Sequence, residues 1–263
     1  MTGDELVLAL TMLRTWGLYR VSDYIQRHHF DVDECFEYLD KELYKSEQEE
    51  IQKHLKAAHN RIEASRNFDI YFISMFNPFF PEKLYKDIVP CVYLFYIGDI
   101  TLLNDNCVAV FGSREIDPAF IDPGKRLIKR LLDKNYTIVT GLSIGCDAFA
   151  ASTTLELKSK TIAVVPGSVD VVSPIQHQQL SQDIVKAGGL ILSEHGVNAV
   201  IDKRCFIRRD CILSALCDFG VILNDTVGKT TSIEHLAHNF LSGKKKVYSL
   251  KGNRLDYFET III

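Results

Sequence analysis

The chain has 263 residues, of which 47% are hydrophobic, and its 30 basic and 34 acidic residues give a formal charge of −4. This composition predicts a folded protein with a substantial core and excludes an intrinsically disordered chain. Because nucleic-acid-binding proteins are usually basic overall, any contact with nucleic acid would have to depend on a local patch of cations.

The chain carries no pattern typical of export or of membrane insertion. Its first residues, Met1–Glu5, are acidic and lack the basic start of a signal peptide, and no apolar run approaches the roughly 18 residues that span a bilayer. Seven cysteines occur without a CxxC pair, which predicts buried thiols rather than disulfides. We therefore expect a cytoplasmic protein that contacts no membrane.

Neither a metal nor a cofactor is predicted. His235 and His238 are three residues apart, a spacing at which two helical side chains could bind zinc. No matched set of Cys, Asp or Glu residues accompanies them, so packing is the favoured role for both histidines.

Residues 1–66 predict a small helical domain. Apolar spacing favours helices over residues 5–15, 21–28 and 33–43, followed by a long amphipathic helix with Ile51, Leu55, Ala58 and Ile62 on one stripe. The favoured role of this domain is packing or dimerisation. A DNA-binding helical bundle is the alternative, but the acidic run 47–50 argues against direct phosphate contact.

Residues 67–106 differ in character from the helical domain. Residues 70–73 and 92–97 are rich in β-branched and aromatic side chains and predict two short strands. The segment 77–81 holds two prolines and predicts a rigid turn. We expect this lead-in to pack on the edge of the next domain.

Residues 107–263 alternate strand and helix patterns, which predicts an α/β domain with a mainly parallel sheet and helices on both faces. The predicted strands are 107–111, 136–140, 161–165, 190–193, 219–223 and 246–250. The predicted helices lie near 119–134, 147–158, 176–187, 208–216 and 231–242. Right-handed crossovers make this a doubly wound, Rossmann-like domain, whose ligand binds at the carboxyl ends of the strands.

The stretch Val108–Arg114 gives the first sign of a ligand. Val108–Phe111 predicts a buried strand. Gly112 and Ser113 can turn backbone N–H groups outward at its end, and Arg114 follows at the rim of the sheet. This order of residues favours a phosphate site.

Glycines recur where later strands end. Gly141 and Gly145 follow the second predicted strand and allow close approach of the backbone, and Asp147 is placed to cap the next helix. Because the carboxyl ends of parallel strands share one edge, these loops predict a continuous rim built for a ligand.

A basic cluster follows the fourth predicted strand. Its cations are Lys203, Arg204, Arg208 and Arg209, and Phe206 lies among them. Cations that bind phosphates beside an aromatic ring that stacks a base are typical of single-strand binding. We expect this cluster on a loop at the rim, close to Arg114.

Two further basic runs occur. Lys125, Arg126, Lys129 and Arg130 fall on the helix after Arg114, and Lys244–Lys246 precedes the last predicted strand and is interpreted as a solvated face.

Several of these motifs together resemble the DNA processing protein A family (DprA/Smf). They are Phe111–Arg114, Thr140–Ala148, Asp170–Pro174, Leu192–Glu194 and Phe206–Ile212, in the family's order and spacing. The N-terminal helices resemble the family's sterile-alpha-motif-like domain. The resemblance implies a single-stranded DNA binder that loads the RecA recombinase in natural transformation or recombination, as a homodimer.

The resemblance also implies roles for individual residues. The implied DNA-binding residues are Gly112, Ser113, Arg114, Gly141, Gly145, Lys203, Phe206, Arg208 and Arg209. Arg114 would hold a phosphate beside the backbone of Gly112 and Ser113. Lys203 would neutralise a second phosphate, Phe206 would stack on a base, and Arg208 would line the same groove. None of these residues is a nucleophile or general base, so no enzymatic turnover is implied.

The sequence departs from the family pattern at several positions. Asp210 and Cys211 stand where the family has an Asn and a cation, and Gln178 and Gln179 stand where basic residues are expected. Each change makes the rim less positive, which predicts weaker binding that fails at lower salt. The chain ends shortly after Leu250, so the family's winged-helix module is expected to be absent.

Two alternatives stay open at this point. The segment Val227–Glu234 faintly resembles a motif of the nucleoside-monophosphate phosphoribohydrolases, with Thr231 and Glu234 in place and two glycines missing. The chain would then bind or hydrolyse a nucleotide. An interaction scaffold with a vestigial rim is the second alternative.

Overall fold

The computed structural model describes residues 2–228, 230–255 and 259–261, the last three by their backbone. The helices in these ranges are α1 (Gly3–Met12), α2 (Leu18–Arg27), α3 (Val32–Glu42), α4 (Lys45–Arg66), α5 (Glu82–Tyr85), α6 (Ile121–Asp133), α7 (Cys146–Glu156), α8 (Gln178–Lys186), α9 (Lys203–Leu216) and α10 (Thr231–Ser242). The strands are β1 (Tyr71–Ser74), β2 (Tyr93–Gly98), β3 (Cys107–Phe111), β4 (Thr137–Thr140), β5 (Thr161–Val164), β6 (Leu190–Ser193), β7 (Phe219–Ile222), β8 (Val247–Leu250) and β9 (Glu259–Ile261). Short 3₁₀ helices cover Ile100–Asn104, Pro118–Phe120 and Ile175–His177.

The strands form one sheet in the order β1-β2-β6-β5-β4-β3-β7-β8-β9. All neighbouring strands from β6 to β9 pair in parallel, whereas β1 and β2 add two antiparallel strands beside β6. The predicted fold class, a Rossmann-like doubly wound and mainly parallel sheet, is confirmed. The chain runs outward from β3 to β6 and then returns to β7, so the topological switch point lies between β3 and β7.

Strand β3 explains the two helical layers. Val108 and Val110 belong to one core cluster, together with Leu127 of α6. Ala109 and Phe111 belong to the other core cluster. Because successive side chains of a strand point to opposite faces, a continuous apolar run of this kind is required where helices cover both faces of a parallel sheet.

The N-terminal helices continue the same core. The predicted stripe of α4, formed by Ile51, Leu55, Ala58 and Ile62, is buried. Ser74 of β1 donates a hydrogen bond of 2.6 Å to the Asp4 carboxylate of α1, which joins the helices to the sheet edge. The predicted boundaries at residues 66 and 106, and the sterile-alpha-motif-like character of residues 1–66, stay predictions.

The basic cluster lies on a helix, so the prediction that it lies on a loop was wrong. The Asp202 side chain accepts hydrogen bonds from the backbone N–H groups of Arg204 (2.7 Å) and Cys205 (3.2 Å). This N-cap starts α9 at Lys203, five residues before the predicted helix at 208–216. Lys203, Phe206, Arg208 and Arg209 therefore have helical spacing.

All seven cysteines are free and buried, as predicted. Within the described ranges, no helix combines the length and the apolar character needed to cross a bilayer.

We predict that Gly145→Ala destabilises the protein by roughly 2–3 kcal/mol. Gly145 has a φ of +85°, and a Cβ at this position would overlap the carbonyl oxygen of Ser113 and lie 2.5 Å from that of Arg114. Urea unfolding measures the change. Gly17→Ala is the control, because Gly17 has a φ of −73° and open space around it, and we expect less than about 1 kcal/mol there. Equal losses in both variants would contradict the close packing of the loop before α7 on the end of β3.

Candidate nucleic-acid interface

The candidate site lies at the switch point of the sheet. Here the Ser113 N–H donates a 2.7 Å hydrogen bond to the carbonyl oxygen of Asn224, which joins the segments that follow β3 and β7. A cavity of about 190 Å³ opens beside this contact. Its lining residues are Phe111, Gly112, Arg114, Ser143, Asp147, Phe206, Arg209, Asp210, Leu213, Ser232, Ile233 and Leu236.

The Gly112–Ser113 turn serves close packing more than ligand contact. A Cβ on Gly112 would overlap the Asn224 carbonyl oxygen and lie 2.7 Å from Cys146 Sγ. The Ser113 N–H is occupied by Asn224, so the expectation that this N–H faces outward was wrong. The Ser113 hydroxyl is buried and has no hydrogen-bond partner among the residues that the structure describes.

Arg114 is the available cation at the mouth of the cavity. Its side chain is exposed, and it makes no hydrogen bond or ion pair with any residue that the structure describes. The backbone beneath it is held by Cys146, whose N–H donates a 3.0 Å hydrogen bond to the Ser113 carbonyl oxygen. The backbone before Arg114 is therefore held in place, while its guanidinium is unpaired among the described residues.

The start of α9 supplies the second part of the site. Phe206 lines the cavity and is 39% exposed, so its ring has a free face. Lys203 is three residues earlier on the same helix, which places it on the same face as Phe206. Lys203 is exposed and unpaired among the described residues, whereas Arg204 forms an ion pair of 2.7 Å with Asp202. The structure thus brings Arg114 and Phe206 to one cavity, as predicted, whereas Lys203 is not among the residues that line it.

Arg208 points away from the cavity. Its guanidinium donates two hydrogen bonds to Glu194, of 2.8 and 2.5 Å, and a third of 3.0 Å to the Pro90 carbonyl oxygen. The side chain is only 21% exposed, and that of Glu194 only 8%. Burial on its own would lower the pKa of Arg208, but the hydrogen bonds to Glu194 raise it above its ordinary value. This charge is already neutralised by a partner.

Arg209 lies inside the site and is also engaged. Its Nη1 donates a 2.6 Å hydrogen bond to the Gly141 carbonyl oxygen and lies 3.5 Å from Ser143 Oγ. A Cβ on Gly141 would overlap this guanidinium and lie 2.9 Å from Asp147 Oδ2. Gly141 is required because Arg209 and Asp147 close on it from two sides.

Two carboxylates of the cavity were not predicted as site residues. Asp147 was expected to cap α7, yet its Oδ2 accepts hydrogen bonds from the N–H groups of Gly141 (3.1 Å) and Ser143 (3.3 Å) in the preceding loop. Asp210 lies against Arg209, with 2.6 Å between Oδ1 and Nε. The only signal in the sequence was their position, one beside the Gly141–Gly145 loop and the other within the basic cluster.

In the segment that suggested a phosphoribohydrolase motif, the described acidic residue Glu234 is not among the residues that line the cavity. Lys229 lies outside the described residues. Glu234 is exposed and accepts a 2.9 Å hydrogen bond from Thr230 Oγ1. In the part of the chain that the structure describes, no group of three His, Cys, Asp or Glu side chains is arranged to hold a metal ion.

Comparison with known proteins gives consistent matches. A family model described as DNA recombination-mediator protein A matches residues 71–256. The DNA processing protein DprA of Streptococcus pneumoniae is 33% identical over 165 residues, which are 63% of this chain and 57% of that protein. DprA of Bacillus subtilis is 28% identical over 180 residues, which are 68% of this chain and 59% of that protein. The chain therefore spans less than two thirds of the length of these relatives.

Two solved structures share the fold. DNA processing protein A from Helicobacter pylori, studied for its single-stranded DNA binding mode, matches with a TM-score of 0.61 at 26% identity and covers 72% of this chain and 84% of its own. DprA from Streptococcus pneumoniae matches with a TM-score of 0.68 at 22% identity, over 93% of this chain and 94% of its own.

We predict that Arg208→Ala lowers the free energy of unfolding by about 3 kcal/mol, because it leaves Glu194 buried without its partner. Chemical denaturation followed by circular dichroism measures the loss. Arg126→Ala is the matched control, since Arg126 is exposed and unpaired among the described residues, and should change stability by less than about 0.5 kcal/mol. An Arg208→Ala protein as stable as the control would show that the Arg208–Glu194 pair does not hold α9 to the end of β6.

Proposed function

Because this chain belongs to the DNA recombination-mediator protein A family, we propose that it binds single-stranded DNA at the cavity between β3, α9 and α10. One observation carries the proposal. An unpaired guanidinium, that of Arg114, and a half-exposed aromatic ring, that of Phe206, line the same concave site at the switch point of the sheet. Ligands of open α/β sheets bind at such points.

The chemistry of the two side chains suits a single strand. Arg114 offers a phosphate five N–H donors and a permanent positive charge. The ring of Phe206 offers a base a stacking surface, and such stacking is worth about 1–3 kcal/mol per base. Lys203, one turn earlier on α9, extends the positive surface to a second phosphate. A duplex keeps its bases stacked on one another, so it could not use Phe206 in this way.

The remaining predicted residues are proposed to shape the site. Arg209 ties α9 to the Gly141–Ser143 loop, and Arg208 ties α9 to Glu194. Both guanidinium groups are occupied, so we assign them positioning roles and leave direct phosphate contact to Arg114 and Lys203. Gly112, Gly141 and Gly145 let the loops approach closely enough to form the cavity.

The activity on DNA is proposed to be that of a mediator rather than an enzyme. Membership of the family supports a protein that loads the RecA recombinase onto single-stranded DNA in the cytoplasm, during recombination or natural transformation, and that acts as a homodimer. The carboxylates of the cavity, Asp147 and Asp210, are held by backbone N–H groups or by Arg209. These contacts suit a binding site better than general acid–base chemistry.

We predict that Arg114→Ala lowers the affinity for a fluorescent oligo-dT about tenfold and reduces the slope of log K against log salt by roughly one. Phe206→Leu should weaken the binding free energy by about 1–3 kcal/mol, because it removes the stacking surface. It should leave the slope of log K against log salt unchanged, because it removes no charge. Fluorescence anisotropy across a salt series measures both quantities. Arg126→Ala serves as the control, since it removes an exposed cation outside the cavity. Lack of binding by the unaltered protein at low salt would overturn the proposed function.

We predict that the unaltered protein accelerates RecA filament formation on single-stranded DNA coated with single-strand-binding protein, and that Arg114→Ala does not. The DNA-dependent ATPase activity of RecA reports filament formation. If DNA binding is intact but RecA is not accelerated, the mediator role is wrong and the DNA-binding role stands.

A further inference from the structure

The carboxylates that line the cavity carry more negative charge than the buried guanidinium beside them can neutralise. Asp147 on α7 and Asp210 on α9 both line it, together with Arg209. The Arg209 side chain is 10% exposed and that of Asp210 is 17% exposed, while Asp147 as a whole residue is 6% exposed. With both carboxylates ionised, one guanidinium leaves this buried cluster with a net charge of −1.

Resting on the proposed function, we propose that Asp210 and Asp147 form a proton-linked acid pair that sets the affinity of the cavity for a DNA phosphate. When both carboxylates are ionised, their excess charge opposes a phosphate bound at Arg114. When the pair holds one proton, Arg209 neutralises the remaining carboxylate and the opposition disappears. Binding of DNA therefore takes up a proton, and acidification strengthens binding.

The contacts of Arg209 keep it from serving the phosphate instead. Its Nη1 is committed to the Gly141 carbonyl oxygen at 2.6 Å, and its Nε lies 2.6 Å from Asp210. Both Arg209 Nε and Asp210 Oδ1 are buried without a well-aligned hydrogen bond. The guanidinium cannot leave this position without exposing Asp147 and Asp210 to each other unscreened.

The groups that face Asp210 come from each element around it. They are Arg209 on its own helix, Asp147 on α7, Arg114 after β3, and His235 on α10. Of these, His235 is exposed, and its contribution is separated from that of the two carboxylates by experiment.

Burial pushes both carboxylates toward the protonated form. It raises the pKa of Asp147 to about 6, with Arg209 acting in the opposite direction. It also raises the pKa of Asp210, against the lowering effect of Arg209 and His235. A phosphate bound nearby adds negative charge and raises these pKa values further. By linkage, a ligand that raises the pKa of a carboxyl binds more tightly as the pH falls through that range.

We predict that the affinity for a short oligo-dT without terminal phosphates rises about fivefold or more when the pH falls from about 7.5 to about 6. Asp210→Asn should bind about as tightly at pH 7.5 as the unaltered protein binds at pH 6, with a flatter pH profile. Titration calorimetry in two buffers of different ionisation enthalpy measures the protons taken up. We expect net uptake for the unaltered protein near pH 6.5 and a clear reduction in Asp210→Asn.

Control variants separate the effect of the acid pair from the effects of other charged residues. Asp183→Asn removes a carboxylate from α8 whose side chain is 47% exposed and lies outside the cavity, and should leave affinity and proton uptake unchanged. His235→Gln should retain most of the uptake; loss of the uptake in this variant would assign the linkage to His235 and overturn the proposal. Thermal unfolding checks the fold of each variant, and Asp147→Asn is the substitute if Asp210→Asn does not fold.

The outcomes distinguish this inference from the function on which it rests. Binding of equal strength at all pH values, or an Asp210→Asn protein with the affinity and proton uptake of the unaltered one, overturns the acid pair and leaves DNA binding in place. Absence of binding at every pH overturns both.

Discussion

The hydrogen bond from Ser113 N–H to the Asn224 carbonyl oxygen determines how the site is built. It joins the segments that follow β3 and β7 at the switch point of the sheet, and so uses a donor that could otherwise have faced a ligand. Glycine at 112 allows this approach, and glycine at 145 brings the start of α7 against the same turn. With the backbone occupied in this way, the phosphate recognition that we propose falls to the first side chain beyond the turn, Arg114.

A second constraint comes from the cations of α9. The helix carries four of them near its start, and three are matched by acids: Arg204 by Asp202, Arg208 by Glu194, and Arg209 by Asp210. The Arg208–Glu194 pair, and the hydrogen bond from Arg209 to the Gly141 carbonyl oxygen, tie α9 to the segments that follow β6 and β4. The number of basic residues in the cluster therefore overstates the positive charge that a phosphate would meet. Most of these cations stabilise the fold through their acidic partners instead of attracting a ligand.

Strands β1 to β8 were predicted, and those of the parallel sheet were predictable because β3 is apolar throughout and glycines follow the strands, whereas β9 was not predicted. The start of α9 was not predictable, because it depends on a single N-cap residue, Asp202, before a segment with no apolar periodicity. The contacts of Arg208 and Arg209 could not be predicted from the sequence either. Glu194, which pairs with Arg208, is 14 residues away from it, and Gly141, whose carbonyl oxygen accepts a hydrogen bond from Arg209, is 68 residues away; only the folded chain brings them together.

A site with few free cations and two buried carboxylates differs physically from a basic groove. A basic groove attracts any polyanion, since counterion release depends only on the number of phosphates neutralised. Here Arg114 and Lys203 give only limited attraction to phosphates, and the carboxylates of Asp147 and Asp210 subtract from it. On the proposed function, useful affinity then requires the contribution of a base stacked on Phe206, which only an unpaired strand can supply. Weak phosphate binding would in this way become the source of selectivity for single strands.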